Sequence, residues 1–297
     1  MDLDDDGYLD LLSGSYSRME TDMAGLFQVL RGKADGTFRK AEVLKGSDGQ
    51  PLIIPVQNEK QFTEKICTRP FAVDWDGDGK LDLVVGNFAG TFYWFKGEGK
   101  GRFRPKPEIL KTGGAPLRIE GHHSDPFVID WDGDGALDLL SGSSNGGVQW
   151  ARNRAGKGKP PELGPFEWLI KPGRSYEYGQ LLSEKELTGP TTSTRVWVAD
   201  VNGDGKLDLL VGDSVTLIAP AKGLICSGEF FAAPRLRSKT AASLSPSTYA
   251  TTPSTSSPQP FRPYPAHFCS TGVLISAVPA AHPASTKTPT TARFFII

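Results

Sequence analysis

Short runs along residues 1–224 alternate from one side to the other with a period of two. In one of them Leu81, Leu83 and Val85 fall on one side and Asp82 and Val84 on the other. That is the alternation of a strand, whereas a helix would repeat every ~3.6 residues. An apolar stretch stands ahead of each such run, at residues 71–73, 127–129 and 196–198. Gly-rich breaks follow, and then aromatic-rich stretches at residues 26–30, 91–95 and 148–150. Turns such as Ala34-Asp35-Gly36 and the glycine-rich segment 97–101 punctuate them. Each unit is expected to be a small antiparallel sheet of about four strands, and stacked units of this length are expected to be propeller blades.

The units repeat residue by residue between the strands. One copy reads Asp74-Trp75-Asp76-Gly77-Asp78-Gly79-Lys80-Leu81-Asp82 and another Asp130-Trp131-Asp132-Gly133-Asp134-Gly135-Ala136-Leu137-Asp138. A later one reads Asp200-Val201-Asn202-Gly203-Asp204-Gly205-Lys206-Leu207-Asp208, and the chain opens with Asp2-Leu3-Asp4-Asp5-Asp6-Gly7-Tyr8-Leu9-Asp10. A glycine closes each unit, at Gly14, Gly86, Gly142 and Gly212.

These nine residues suit calcium, a hard cation that takes six to eight oxygen ligands in a flexible shell. Positions 1, 3, 5 and 9 offer the side-chain oxygens: Asp74, Asp76, Asp78 and Asp82 in one copy and Asp130, Asp132, Asp134 and Asp138 in the next. In the last copy Asp200, Asp204 and Asp208 are joined by Asn202, which keeps the oxygen and drops one charge. Position 7, Lys80, can offer only its main-chain carbonyl. Gly79 at position 6 permits the left-handed turn that folds the loop. Four carboxylates within nine residues repel one another, and a doubly charged ion relieves that repulsion. An acidic surface hairpin is the plainer reading of one copy, since Asp-Gly is a common turn. Four copies in one register weigh against it. An EF-hand needs Glu at position 12 and flanking helices, but position 12 is Val85, Ser141 or Val211.

The loops at Asp74, Asp130 and Asp200, with their Leu-Asp-Leu continuation and trailing glycine, resemble FG-GAP/VCBS repeats, the blades of integrin-α-type β-propellers. The resemblance covers roughly residues 1–215. It implies an all-β fold, a partial β-propeller of about three to four four-stranded antiparallel blades, and up to four Ca2+ ions. It extends the ligand set to Asp2, Asp4, Asp6, Tyr8 and Asp10 in the first copy. It makes the carbonyls of Ala136 and Lys206 donors in the third and fourth. The signature that names the family is degenerate, residues 86–90 being its closest piece. Family propellers have about seven blades, so the chain is expected to be a fragment, with further blades and any signal peptide supplied upstream.

Charge changes the picture at one place. Residues 1–224 hold 27 Lys and Arg against 33 Asp and Glu, and residues 225–297 hold 6 against 1, so a net of −6 gives way to +5. The second segment is rich in Ser, Thr, Pro and Ala without hydrophobic periodicity. A stalk, a disordered tail and an out-of-frame translation compete as its explanation, and no fixed fold is expected. The chain as a whole has a net charge of −1, which excludes a global field for nucleic acid. No run of 18 apolar residues predicts a membrane span. Cys67, Cys226 and Cys269 show no metal spacing and are odd in number.

Catalytic motifs are missing from the sequence. His122-His123 could ligate a metal or act as a base, but without a third ligand the pair reads as a solvent-facing loop. Arg152, Arg154, Lys157 and Lys159 read as a solvated turn. The run Phe92-Tyr93-Trp94-Phe95 reads as sheet core and less readily as a sugar platform. Glu167, Glu184 and Glu186 form no recognisable acid–base pair. The expected function is a non-catalytic, calcium-binding adhesion or binding scaffold, extracellular or periplasmic, with a protein or glycan partner. The rivals are part of a calcium-dependent glycan-processing enzyme such as a polysaccharide lyase, with His122 or His123 as candidates, and a purely structural domain of a longer secreted protein.

Overall fold

The computed structural model describes residues 1–16, 25–56, 58–174, 189–219 and 223–234. Cys269 and the pair Glu184 and Glu186 lie outside the described residues. One compact unit spans Met1–Leu236. Among its described residues it is all-β apart from a short 3-10 turn at Glu59–Glu64. Among the described residues no helix is long and apolar enough to cross a membrane.

Four antiparallel meanders follow one another along the chain. The first joins β1 (Leu11–Ser13), β2 (Gln28–Leu30) and β3 (Glu42–Val43). The second contains β4 (Arg69–Val73), β5 (Asp82–Gly86) and β6 (Phe92–Phe95), and is completed by β9 (Glu108–Ile109) after a hairpin of β7 (Gly97–Gly99) and β8 (Arg102–Phe103). A second hairpin, β10 (Lys111–Thr112) and β11 (Ala115–Pro116), leads to the third sheet. That sheet is β12 (Asp125–Ile129), β13 (Asp138–Gly142), β14 (Val148–Ala151) and β15 (Glu167–Ile170). The last is β16 (Arg195–Ala199), β17 (Asp208–Ala219) and β18 (Gly223–Pro234). Among the described residues two sheets thus have the four strands expected and two have three. The last hairpin runs on past residue 224, where the repeat pattern was expected to stop.

Alternation along β5 and β13 serves two neighbours instead of one core and one solvent face. Leu83 and Val85 pack with Phe27, Val29 and Leu44 of the first sheet's region, while Val84 packs with Val128 and Leu139 of the third. Leu140, next to Leu139, turns the other way to meet Val196, Val198 and Leu209. All five residues of β5 and all five of β13 are therefore buried. Each fully buried Leu or Val contributes roughly 1.5–3 kcal/mol, so the middle sheets draw stability from both sides. The first strands of successive sheets lie side by side, with Phe71 and Phe127 ring centres 4.9 Å apart and Phe127 and Trp197 5.2 Å apart.

A recurring latch sets the step from each sheet to the next. The residue after the closing glycine donates its main-chain N–H to a hydroxyl six residues ahead of the next loop. Ser15 donates to Thr68 Oγ1 at 2.9 Å, Asn87 to Ser124 Oγ at 2.8 Å and Ser143 to Thr194 Oγ1 at 2.8 Å. The N–H groups of Thr68, Ser124 and Thr194 return to the carbonyls of Ser15, Asn87 and Ser143 at 3.0, 3.0 and 2.9 Å. The glycine is needed because the chains nearly touch: a Cβ on Gly86 would overlap the carbonyl of Ser124, and one on Gly142 that of Thr194.

Candidate metal centre

The second, third and fourth acidic loops each bridge the first and second strands of their sheets, as the pairing of Val73 with Asp82, Ile129 with Asp138 and Ala199 with Asp208 shows, and the first loop leads into β1. Position 1 folds it. Asp74 accepts the N–H of Asp78 on Oδ1 (3.1 Å) and of Gly79 on Oδ2 (3.0 Å). Asp2 does the same with Asp6 and Gly7, and Asp200 with Asp204 and Gly205. Asp130 accepts from Gly133 and Gly135. Position 5 then accepts the N–H of position 7 at 2.9–3.0 Å, through Asp6 and Tyr8, Asp78 and Lys80, Asp134 and Ala136, and Asp204 and Lys206.

Position 9 plays a different part. Asp82 is fully buried; it accepts Trp75 N–H at 3.4 Å on Oδ2 and Gly97 N–H at 2.7 Å on Oδ1. Asp138 accepts Trp131 and Asn153 N–H at 3.2 and 2.7 Å, and Asp10 accepts Leu3 and Gly32 N–H at 3.1 and 2.9 Å. Asp208 takes Val201 N–H at 3.1 Å. Burial pushes the Asp82 carboxyl up to about 6, against the pull of the Gly97 N–H, and Asp138 shifts the same way for the same reason. In the first three loops this carboxylate pins the loop to the segment just beyond the next strand, β2, β6 or β14.

The fold gathers three carboxylates in each of three loops: Asp2, Asp4 and Asp10; Asp74, Asp76 and Asp78; Asp130, Asp132 and Asp134, with one oxygen from each residue of a group within 4.8 Å of the others. In the fourth loop Asp204 N–H donates to both Asp200 Oδ1 (3.1 Å) and Asn202 Oδ1 (2.9 Å). Loops two and three are joined, since Trp75 Nε1 donates to the carbonyl of Leu137 at 2.9 Å.

Basic side chains also enter the loops. Arg31 Nη1 lies 3.2 Å from Asp4 and 3.0 Å from Asp10. Lys96 hydrogen-bonds Asp76 and lies 3.5 Å from Asp78. Arg152, read above as part of a solvated turn, instead contacts Asp132 at 2.8 Å and Asp134 at 2.9 Å. The hydrogen bond to Asp76 holds Lys96 above the ordinary lysine range, and Asp134 does the same for Arg152.

The donor set fits a hard cation on an independent observation. Asp76 Oδ1 and Asp4 Oδ1 are buried without a hydrogen-bond partner. They occupy the same position in two different loops, and the Asp76 side chain is only 3% exposed. A buried carboxylate oxygen left unpartnered is costly. An oxygen-seeking ion held by Asp74, Asp76 and Asp78, or by Asp2, Asp4 and Asp10, would supply the missing partner.

The histidines stand apart from these loops. His122 is exposed, as expected, and stacks on Phe88 at 5.5 Å. His123 is not solvent-facing: its ring meets the edge of Phe88 at 4.6 Å and its Nδ1 is buried. Burial, reinforced by Arg69, lowers its value to about 4. Arg69 bonds the His123 carbonyl at 3.1 Å and, with Arg195, flanks Asp125 at 3.9 and 2.9 Å. Phe92, Trp94 and Phe95 are sheet core, as expected, with Phe92 and Trp94 in one cluster and Phe95 in another.

Residues 74–141 and 130–211 each match the family model described as an FG-GAP-like repeat. Both matches begin at position 1 of a loop. No curated protein matches the chain.

Proposed function

The chain carries FG-GAP repeats over residues 74–211, and from that premise we propose that it is a calcium-binding, non-catalytic extracellular scaffold. The residues that would hold the ions are Asp74, Asp76 and Asp78 with the carbonyl of Lys80 in the second loop, their equivalents in the third and fourth, and Asp2, Asp4 and Asp10 in the first. The ion supplies positive charge where carboxylates crowd. With that charge in place the loops hold a fixed shape at the sheet ends and present a surface to a protein or glycan ligand. The buried, unpartnered Asp76 Oδ1 is the observation that carries this reading.

Thermal unfolding of the full chain tests it, run in chelator, in millimolar calcium and in millimolar magnesium. Calcium binding to the folded state raises the melting temperature by several degrees, because a ligand at ~100 times its Kd adds about 2.7 kcal/mol. A cooperative melt indifferent to calcium leaves the loops as acidic turns.

A further inference from the structure

The cations that enter three of the loops come from one structural position. Leu11 pairs with Leu30, Leu83 with Phe95 and Leu139 with Ala151. Stepping one residue further sets Asp10 opposite Arg31, Asp82 opposite Lys96 and Asp138 opposite Arg152. The same residue directly precedes the amide that anchors position 9, at Gly32, Gly97 and Asn153. In each case the side chain turns back onto the position 3 carboxylate, Asp4, Asp76 or Asp132. The fourth loop differs at both ends of this pair. Its register places Pro234 opposite Asp208, and its position 3 is Asn202. Where the cation is missing, so is the carboxylate it would meet. Counting positions 1, 3, 5 and 9 with the residue opposite, four carboxylates and one cation give −3, and three carboxylates with a proline give −3 as well.

We propose that Arg31, Lys96 and Arg152 are built-in counter-ions that set the calcium affinity of their loops. Each sits on Oδ2 of its position 3 carboxylate, so a divalent cation taking Oδ1 binds beside a fixed positive charge. Calcium is therefore repelled by a tethered charge, so affinity is lower than the carboxylate count implies and the loop stays folded without an ion. This rests on the calcium reading above, and it names the residues that tune the site.

The test uses the full chain, with calcium titrated calorimetrically and terbium followed by luminescence. Trp75 and Trp131, at position 2 of the second and third loops, sensitise the lanthanide and report those two loops. Wild type is compared with Lys96→Gln, Arg152→Gln and the charge-keeping Arg152→Lys. Removing a unit charge a few ångströms from a dication is expected to tighten calcium binding at the altered loop about tenfold or more, tenfold being the effect at the full dielectric screening of water, while Arg152→Lys keeps wild-type affinity. The Gln variants are also expected to melt lower in chelator and to gain more from calcium. If Lys96→Gln does not fold, Arg152→Gln carries the test, because the Arg152 side chain is 51% exposed. Unchanged or weaker calcium binding in folded Gln variants, with wild type binding normally, overturns the counter-ion role and leaves the calcium reading standing. No calcium binding by wild type or any variant overturns both.

Discussion

The main-chain N–H of Asn87 meets the hydroxyl of Ser124 at 2.8 Å, across the step from the second sheet to the third. The hydroxyl is buried and itself donates to the Thr91 carbonyl at 2.8 Å. Ser124→Ala therefore strands a buried amide. It is expected to cost about 1–3 kcal/mol, read from urea unfolding. A loss within error would show that the paired main-chain bonds hold the step without the side chain.

The glycine side of the latch is less forgiving. A methyl group at Gly86 or Gly142 meets main-chain atoms, which cannot move aside as a flexible side chain can. Gly142→Ala should destabilise by more than Ser124→Ala, about 3 kcal/mol or more. The third and fourth sheets should come apart first, which proteolysis mapped by mass spectrometry would locate. An alanine variant as stable as wild type would mean the sheets can part at no cost.

Positions 3 and 9 should respond in opposite ways to loss of charge. Asp132→Asn copies what the fourth loop already has at Asn202. It should change the melting temperature in chelator little, since exposed ion pairs are worth about 0–1 kcal/mol, while shrinking the gain from calcium. Asp82→Asn replaces an oxygen that accepts an N–H with an amide nitrogen that cannot. It should cost about 1–3 kcal/mol with or without calcium. Equal behaviour of the two variants would erase the distinction between ion site and loop anchor.

His123 should make stability fall in acid. Its folded value of about 4 lies below the ordinary 6.5. Above 6.5 the ring is neutral in both states and its contribution is fully present. As the pH drops from 6.5 toward 4, the unfolded chain takes up a proton that the folded chain refuses, and stability is lost. The effect is on the order of 1 kcal/mol once screening of a partly exposed group is discounted. His123→Gln should show a shallower loss between pH 7 and pH 5 in denaturant titrations, the difference between the two chains isolating this residue. Parallel curves would place the ring in water.

Strand period, loop register and aromatic core were legible in the sequence because each depends on residues close together along the chain. The burial of both faces of Asp82–Gly86 was not, since alternation by itself implies one wet face. It takes the stacking of a sheet on either side to cover both. The counter-ions were hidden for a related reason. Arg31 follows its loop's first residue by 29 positions, whereas Lys96 and Arg152 follow theirs by 22, and only strand pairing makes them equivalent. The hydroxyls at Thr68, Ser124 and Thr194 did carry a signal, each six residues ahead of an acidic loop, but a lone Ser or Thr before a strand draws no notice until its partner is seen. Position 9 reads as a ligand because its residue type matches the others, and Asp10 does lie in the first cluster; its second part, accepting main-chain N–H groups from outside the loop, needs the strand pairing to be seen.

The latch also bears on how such a chain grows. The second and third units each carry the glycine and amide half at the trailing edge and the hydroxyl half at the leading edge. A unit copied in tandem within the gene arrives with both halves in place and can seat between existing neighbours without any compensating change. Lengthening the array then requires duplication alone, and divergence is left free to work on the loops.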